Sequence, residues 1–116
     1  MRLEARKYLY DIRQAADSIA TFCAGKTFAD YRADELLRAA VERKFGIVGE
    51  ALARLQKEDP EIAALIPEHR KIIAFRNIII HGYAGVDDRI VWGVIEADLA
   101  KLRAAVASML RRTEEK

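Results

Sequence analysis

Hydrophobic positions recur at helical spacing along most of this chain. Leu9, Ile12, Ala16, Ile19 and Cys23 follow one another at steps of three and four, which is one face of a helix. Gly25 supplies a stop, and Thr27 with Asp30 three residues on reads as the N-cap of a short helix. A second stripe, Leu37, Val41, Lys44, Val48, Leu52 and Leu55, starts behind Asp34 as its cap. Lys44 is its odd member. Pro60 and Pro67 bracket a connection from Asp59 to Glu68, and a third long segment runs on from His69 to Ile80. The last segment runs from about Asp87 to Arg112 with Val91, Ile95, Asp98, Leu102, Val106 and Met109 on one side. Asp87 or Asp88 caps it, and Arg111 and Arg112 sit where the helix dipole favours cations.

The third segment is ambiguous by itself, because Ile72, Ile73, Ile78, Ile79 and Ile80 lean towards strand. No second strand is available to pair with it, so helix is the consistent assignment. Its apolar residues cover most of the circumference, which places it centrally in a bundle or against a second subunit. The pattern therefore predicts an all-α fold. We expect an antiparallel up-and-down bundle of four main helices plus one short helix, a single domain over residues 1–116.

Composition narrows the classes. The chain has 20 Lys and Arg against 18 Asp and Glu, a net charge of +2, so any polyanion site must be a local cluster. One cysteine excludes an intramolecular disulfide and every Cys-rich zinc motif. No apolar run approaches the ~18 residues of a membrane span, and the N-terminus lacks the apolar region of a signal peptide. A cytoplasmic protein without membrane contact is expected. His69, His81 and Cys23 make no metal-ligand spacing, and phosphate loops and nucleophile elbows are missing, so neither metal nor cofactor is expected.

What remains is Arg76-Asn77-Ile78-Ile79-Ile80-His81-Gly82-Tyr83, a cation, an amide, an imidazole and a phenol at the end of an apolar helix. Arg76 and His81 stand about 140° apart on a straight helix, whereas Asn77 and His81 share a face and the amide could orient the imidazole. Each residue also has a structural reading. His81 can cap the helix C-terminus through its dipole, Arg76 can make a salt bridge, and Tyr83 can pack with a hydroxyl partner. His69 reads as solvated, Glu50 pairs with Arg54 at i+4, and Lys44 can snorkel. By the residues alone this is a helical bundle with a polar knot.

The stretch Arg76 to Tyr83 resembles the R-x(4)-H-x-Y signature of the HepT-like toxins, a branch of the HEPN-domain superfamily. Tyr8-Leu9-Tyr10-Asp11-Ile12, Val48-Gly49-Glu50-Ala51, Ile72-Ile73-Ala74-Phe75 and Ala84-Gly85-Val86-Asp87 with Ile90-Val91-Trp92 extend the resemblance over nearly the whole chain. Ala74 stands where glycine is expected, and Lys44 where asparagine often follows a basic residue. The resemblance implies a HEPN-like dimer that is the toxin of a type VII toxin–antitoxin system, a metal-independent endoribonuclease. It implies an MntA-like minimal nucleotidyltransferase antitoxin as partner, in a homodimer or a larger hetero-oligomer, which silences the toxin by AMPylation of the tyrosine. Arg76 and His81 would be catalytic, Asn77 an orienting residue and Tyr83 the modified one, with Lys44 and Glu50 in the cleft. The alternative is a non-catalytic HEPN module that binds nucleotide or docks the nucleotidyltransferase.

The implied chemistry is sound. RNA carries its own nucleophile, the 2′-OH, so a metal is not obligatory. An imidazole, with an unperturbed pKa near ~6.5, moves a proton at neutral pH, and a guanidinium forks onto phosphate oxygens. The expected products are a 2′,3′-cyclic phosphate and a 5′-hydroxyl.

Overall fold

The computed structural model describes residues 1–82 and 85–114, with the backbone alone at 113 and 114. Every regular element among them is a helix. The helices are α1 (Leu3–Cys23), α2 (Phe28–Ala33), α3 (Glu35–Glu58), α4 (Pro60–Ala64), α5 (His69–His81), α6 (Asp88–Ala97) and α7 (Leu99–Glu114). The all-α expectation holds, and the His69 segment is helical throughout.

The ends of these helices obey their capping residues. Thr27 and Asp30 form a reciprocal capping box at α2. Asp34 accepts a hydrogen bond from the Leu37 N–H at 3.0 Å, and Asp87 accepts one from the Arg89 N–H at 2.9 Å. Two boundaries differ from expectation. The connection after Asp59 holds a second short helix, because Pro60 occupies the first helical position and the Asp59 carboxylate accepts from Ile62 N–H. The last segment divides at Asp98. A carboxylate on an apolar stripe can be buried only against a cation, and Asp98, 5% exposed, lies 2.7 Å from the Lys71 ammonium of α5. The backbone bonds Asp98 N–H to Val94 and Leu102 N–H to Asp98 bridge the break.

The central element is α3. Tyr8 at the start of α1 lies beside Arg54 and Glu58 at the end of α3, while Tyr31, just after α1, sits among Cys23, Arg38 and Glu42. These pairs make α1 and α3 antiparallel. The same holds for α5, whose Phe75 meets Phe45 edge-on at 5.1 Å while Ile79 and Ile80 approach Glu42 and Arg43. Along α3 the buried stripe runs Leu37, Val41, Phe45, Val48, Leu52 and Leu55. Phe45 takes the core-facing place on which Lys44 was expected; Lys44 flanks the stripe, half-buried. Helix α5 is not central. Only its Ile72 and Phe75 are buried, and Ile78 and Ile80 are 48% and 46% exposed. No described helix is long and apolar enough to cross a membrane.

Candidate active site

The site begins with a close helix crossing. A Cβ placed on Gly49 of α3 would lie 2.2 Å from the Cβ of Arg76 on α5, so only glycine allows the two helices this approach. The crossing brings the root of the Arg76 side chain against the α3 backbone and leaves 22% of that side chain exposed. Its guanidinium donates to the carboxylate of Glu50, the residue next to Gly49, and at 3.1 Å to the side-chain amide oxygen Oδ1 of Asn77. Its Nε is buried and without a hydrogen-bond partner among the described residues. A cation held on one side by a carboxylate and an amide keeps its planar fork in a defined direction.

Glu50 serves two arginines. It also accepts from Arg54 Nε at 3.0 Å, the i+4 pair expected from the sequence. Hydrogen bonding from Arg54 and the positive charge of Arg76 hold its carboxyl below the usual carboxylate range. Two guanidinium groups from different helices therefore surround one carboxylate.

His81 is the last residue of α5, exposed and succeeded by Gly82 as the helix cap. Gly82 has φ −81° and ψ 64°, outside the left-handed region; a close approach accounts for the glycine. A Cβ there would lie 2.7 Å from the Ile78 carbonyl oxygen and 3.3 Å from a Val86 methyl carbon. Gly82 therefore lies directly against Val86, in the segment that leads into α6. The Asn77 side-chain oxygen is directed at Arg76, so the orienting role of this amide falls on the guanidinium in this structure. Tyr83 lies outside the described residues.

A groove of about 610 Å³ opens beside the crossing, between α1, α3 and the end of α5. Tyr8, Arg43, Glu50, Arg54, Ile79 and Ile80 are among its walls. Hydrogen bonding to Glu58, with burial adding to it, raises the pKa of the Tyr8 phenol, which keeps it a neutral donor over the working range. Of the two candidate cleft residues, Glu50 lines this groove and Lys44 does not. Gly49, Arg54 and Tyr8 were not singled out from the sequence as site residues. The signal for Gly49 was present, since a glycine inside a long helix costs about 1 kcal/mol against alanine and needs a packing reason.

An all-helical fold with an arginine anchored at a helix crossing and a histidine five residues on defines the class of HEPN-like bundles carrying an R-x(4)-H motif. The family model "Ribonuclease HepT-like" matches residues 12–109. The chain belongs to the HepT-like ribonuclease family. It is 33% identical over 107 residues to the protein named "Putative RNase TTE0752" of Caldanaerobacter subterraneus subsp. tengcongensis, covering 92% of this chain and 95% of that one. It is 31% identical over 103 residues to "Probable ribonuclease HepT" of Thermococcus cleftensis, covering 89% and 93%. A third relative, "Putative RNase MJ1380" of Methanocaldococcus jannaschii, is 27% identical over 103 residues, covering 89% and 94%. No solved structure matches the chain.

Proposed function

We propose that this protein is an endoribonuclease toxin that cleaves RNA through attack of the 2′-OH on the adjacent phosphate. The observation that carries the reading is the Arg76 guanidinium, held by Glu50 and Asn77 at the Gly49 crossing, in the R-x(4)-H stretch of a HepT-like chain. Arg76 binds the phosphate and neutralises charge that develops on its oxygens. His81, exposed at the end of α5, accepts the 2′-OH proton or donates one to the 5′-oxygen that leaves. The bond formed is O2′–P, the bond broken is P–O5′, and the products are a 2′,3′-cyclic phosphate and a 5′-hydroxyl. The nucleophile comes from the substrate, so the scheme requires no metal.

A homodimer completes the reading. Ile78 and Ile80 present apolar area on α5 that the monomer does not bury, and a two-fold pairing there would place two motifs near one cleft. One imidazole then serves as base and the other as acid. Within the type VII scheme, Tyr83, two residues after His81, is the residue that a minimal nucleotidyltransferase antitoxin modifies with AMP, with residues 1–116 acting as one domain in the cytoplasm. The test is cleavage of an end-labelled RNA in EDTA by wild type and by His81→Ala and Arg76→Lys. Cyclic-phosphate products from wild type and their loss in both variants are expected; full activity in either variant overturns the scheme. Intact mass after incubation with the antitoxin, ATP and magnesium should show added AMP in wild type and none in Tyr83→Phe.

A further inference from the structure

Helix α6 turns two faces in opposite directions. Val91 and Val94 enter the core, whereas Arg89, Trp92, Gly93 and Glu96, at helical spacing i, i+3, i+4 and i+7, line an open cleft of about 670 Å³. The opposite wall is Lys26, Thr27 and Phe28 at the start of α2. The half-buried Trp92 is braced from behind by Tyr31, with ring centroids 5.5 Å apart. Beside it Gly93 is exposed, and a Cβ built there would meet nothing within 4 Å. A glycine in mid-helix that packs against nothing is unfavourable for the fold. Its effect is to leave the space beside the indole clear.

Lys26 and Arg89 are exposed, Lys26 within electrostatic reach of the Asp30 carboxylate, and Glu96 is the single carboxylate among the described residues of the cleft wall. An adjoining cleft of about 430 Å³ shares Phe28 and Arg89 and adds Arg32, Val86, Asp87 and Asp88. Its two carboxylates are engaged, Asp87 as the α6 cap and Asp88 at 3.9 Å from Arg38. Val86 also lies against Gly82, the residue that follows His81. An indole platform with two exposed cations beside it suits a base and its phosphate.

We propose that the Trp92 cleft binds a nucleotide of the single-stranded RNA substrate, stacking its base on the indole while Arg89 and Lys26 hold the backbone. This rests on the ribonuclease reading above. Trp92 is the chain's one tryptophan, so its fluorescence reports the cleft directly. The probe is a dye-labelled 2′-O-methyl oligouridylate, which lacks the attacking hydroxyl and stays intact.

Titration should quench the indole in step with the rise in dye anisotropy. Arg89→Glu should weaken binding about tenfold or more and flatten its salt dependence. Gly93→Leu, placed in open space, should retain the helical circular dichroism and remove the quenching. Anisotropy that rises while Trp92 fluorescence stays constant would overturn the proposal and leave the ribonuclease reading standing. Oligonucleotide binding at full strength in both variants, with loss of antitoxin binding instead, would make the cleft a protein-docking surface and also overturn it. Absence of any oligonucleotide binding, together with absence of RNA cleavage, would remove both readings.

Discussion

Helices α1 and α5 both pack on α3, and they use it differently. In α1 seven residues are buried, from Ala5 to Cys23, and they repeat along one face over the full helix. In α5 two are buried, Ile72 and Phe75, although its sequence is at least as apolar around the circumference. The two helices diverge after Phe75. From Arg76 onward the contact with α3 gains a polar anchor at Glu50, Ile79 is half-buried against the core, and Ile78 and Ile80 are about half exposed. Helix α1 is therefore a core element, while the second half of α5 presents a held cation, an exposed histidine and uncovered apolar area.

The contrast can be broken from the functional side first. His81→Ala should reduce RNA cleavage by ~10²–10⁴-fold while the helical circular dichroism is retained. A parallel loss of the helical signal would show that His81 belongs to the fold. On the core side, Leu9→Ala or Leu52→Ala should each cost about 2–5 kcal/mol in urea unfolding, because both are fully buried.

Gly49→Ala falls between the two regions. Its methyl group must displace Arg76 or part the helices, so a loss of about 1–3 kcal/mol is expected together with a loss of cleavage. Retained cleavage in a stably folded Gly49→Ala protein would mean that the position of Arg76 at the crossing is irrelevant to catalysis.

Acid should sharpen the picture. The carboxyl of Glu50 is held below its usual range, so its contribution is present above the unfolded value near ~4.3 and is lost as pH falls through the depressed folded value. Circular dichroism should show wild type losing part of its margin over Glu50→Gln in that window, and an unchanged margin would argue against the anchor. The smallest effect on the fold is expected from Ile78→Asp with Ile80→Asp, within about 0.5 kcal/mol for the monomer. Sedimentation should nevertheless show wild-type dimers dissociating in this variant.

Much of this was legible in the sequence because it is local. The stripe of α1, the capping box at Thr27, the caps at Asp34 and Asp87 and the helical state of the His69 segment depend on neighbours within a few residues. So does the pair Glu50–Arg54, one turn apart. The signature Arg76 to Tyr83 is itself a local string, and Tyr83, outside the described residues, rests on that string alone.

What tertiary structure decided depends on residues far apart in the chain. Asp98 belongs to the periodic stripe by spacing, and it lies buried against Lys71 of another helix at the point where the final segment divides. Phe45 replaces Lys44 on the core side because a phenyl ring can meet Phe75 and an ammonium cannot be buried unpaired. The choice of α3 over α5 as the central helix was equally beyond periodicity, which records how apolar a helix is and not how many neighbours it has. Of the two arginines on Glu50, Arg54 is one turn away on the same helix, whereas Arg76 comes from another helix 26 residues on, and no spacing rule joins it to Glu50. The sequence determined the helices and the motif through short-range backbone preferences; the position of Arg76 came from a crossing that exists only once α3 and α5 meet at Gly49.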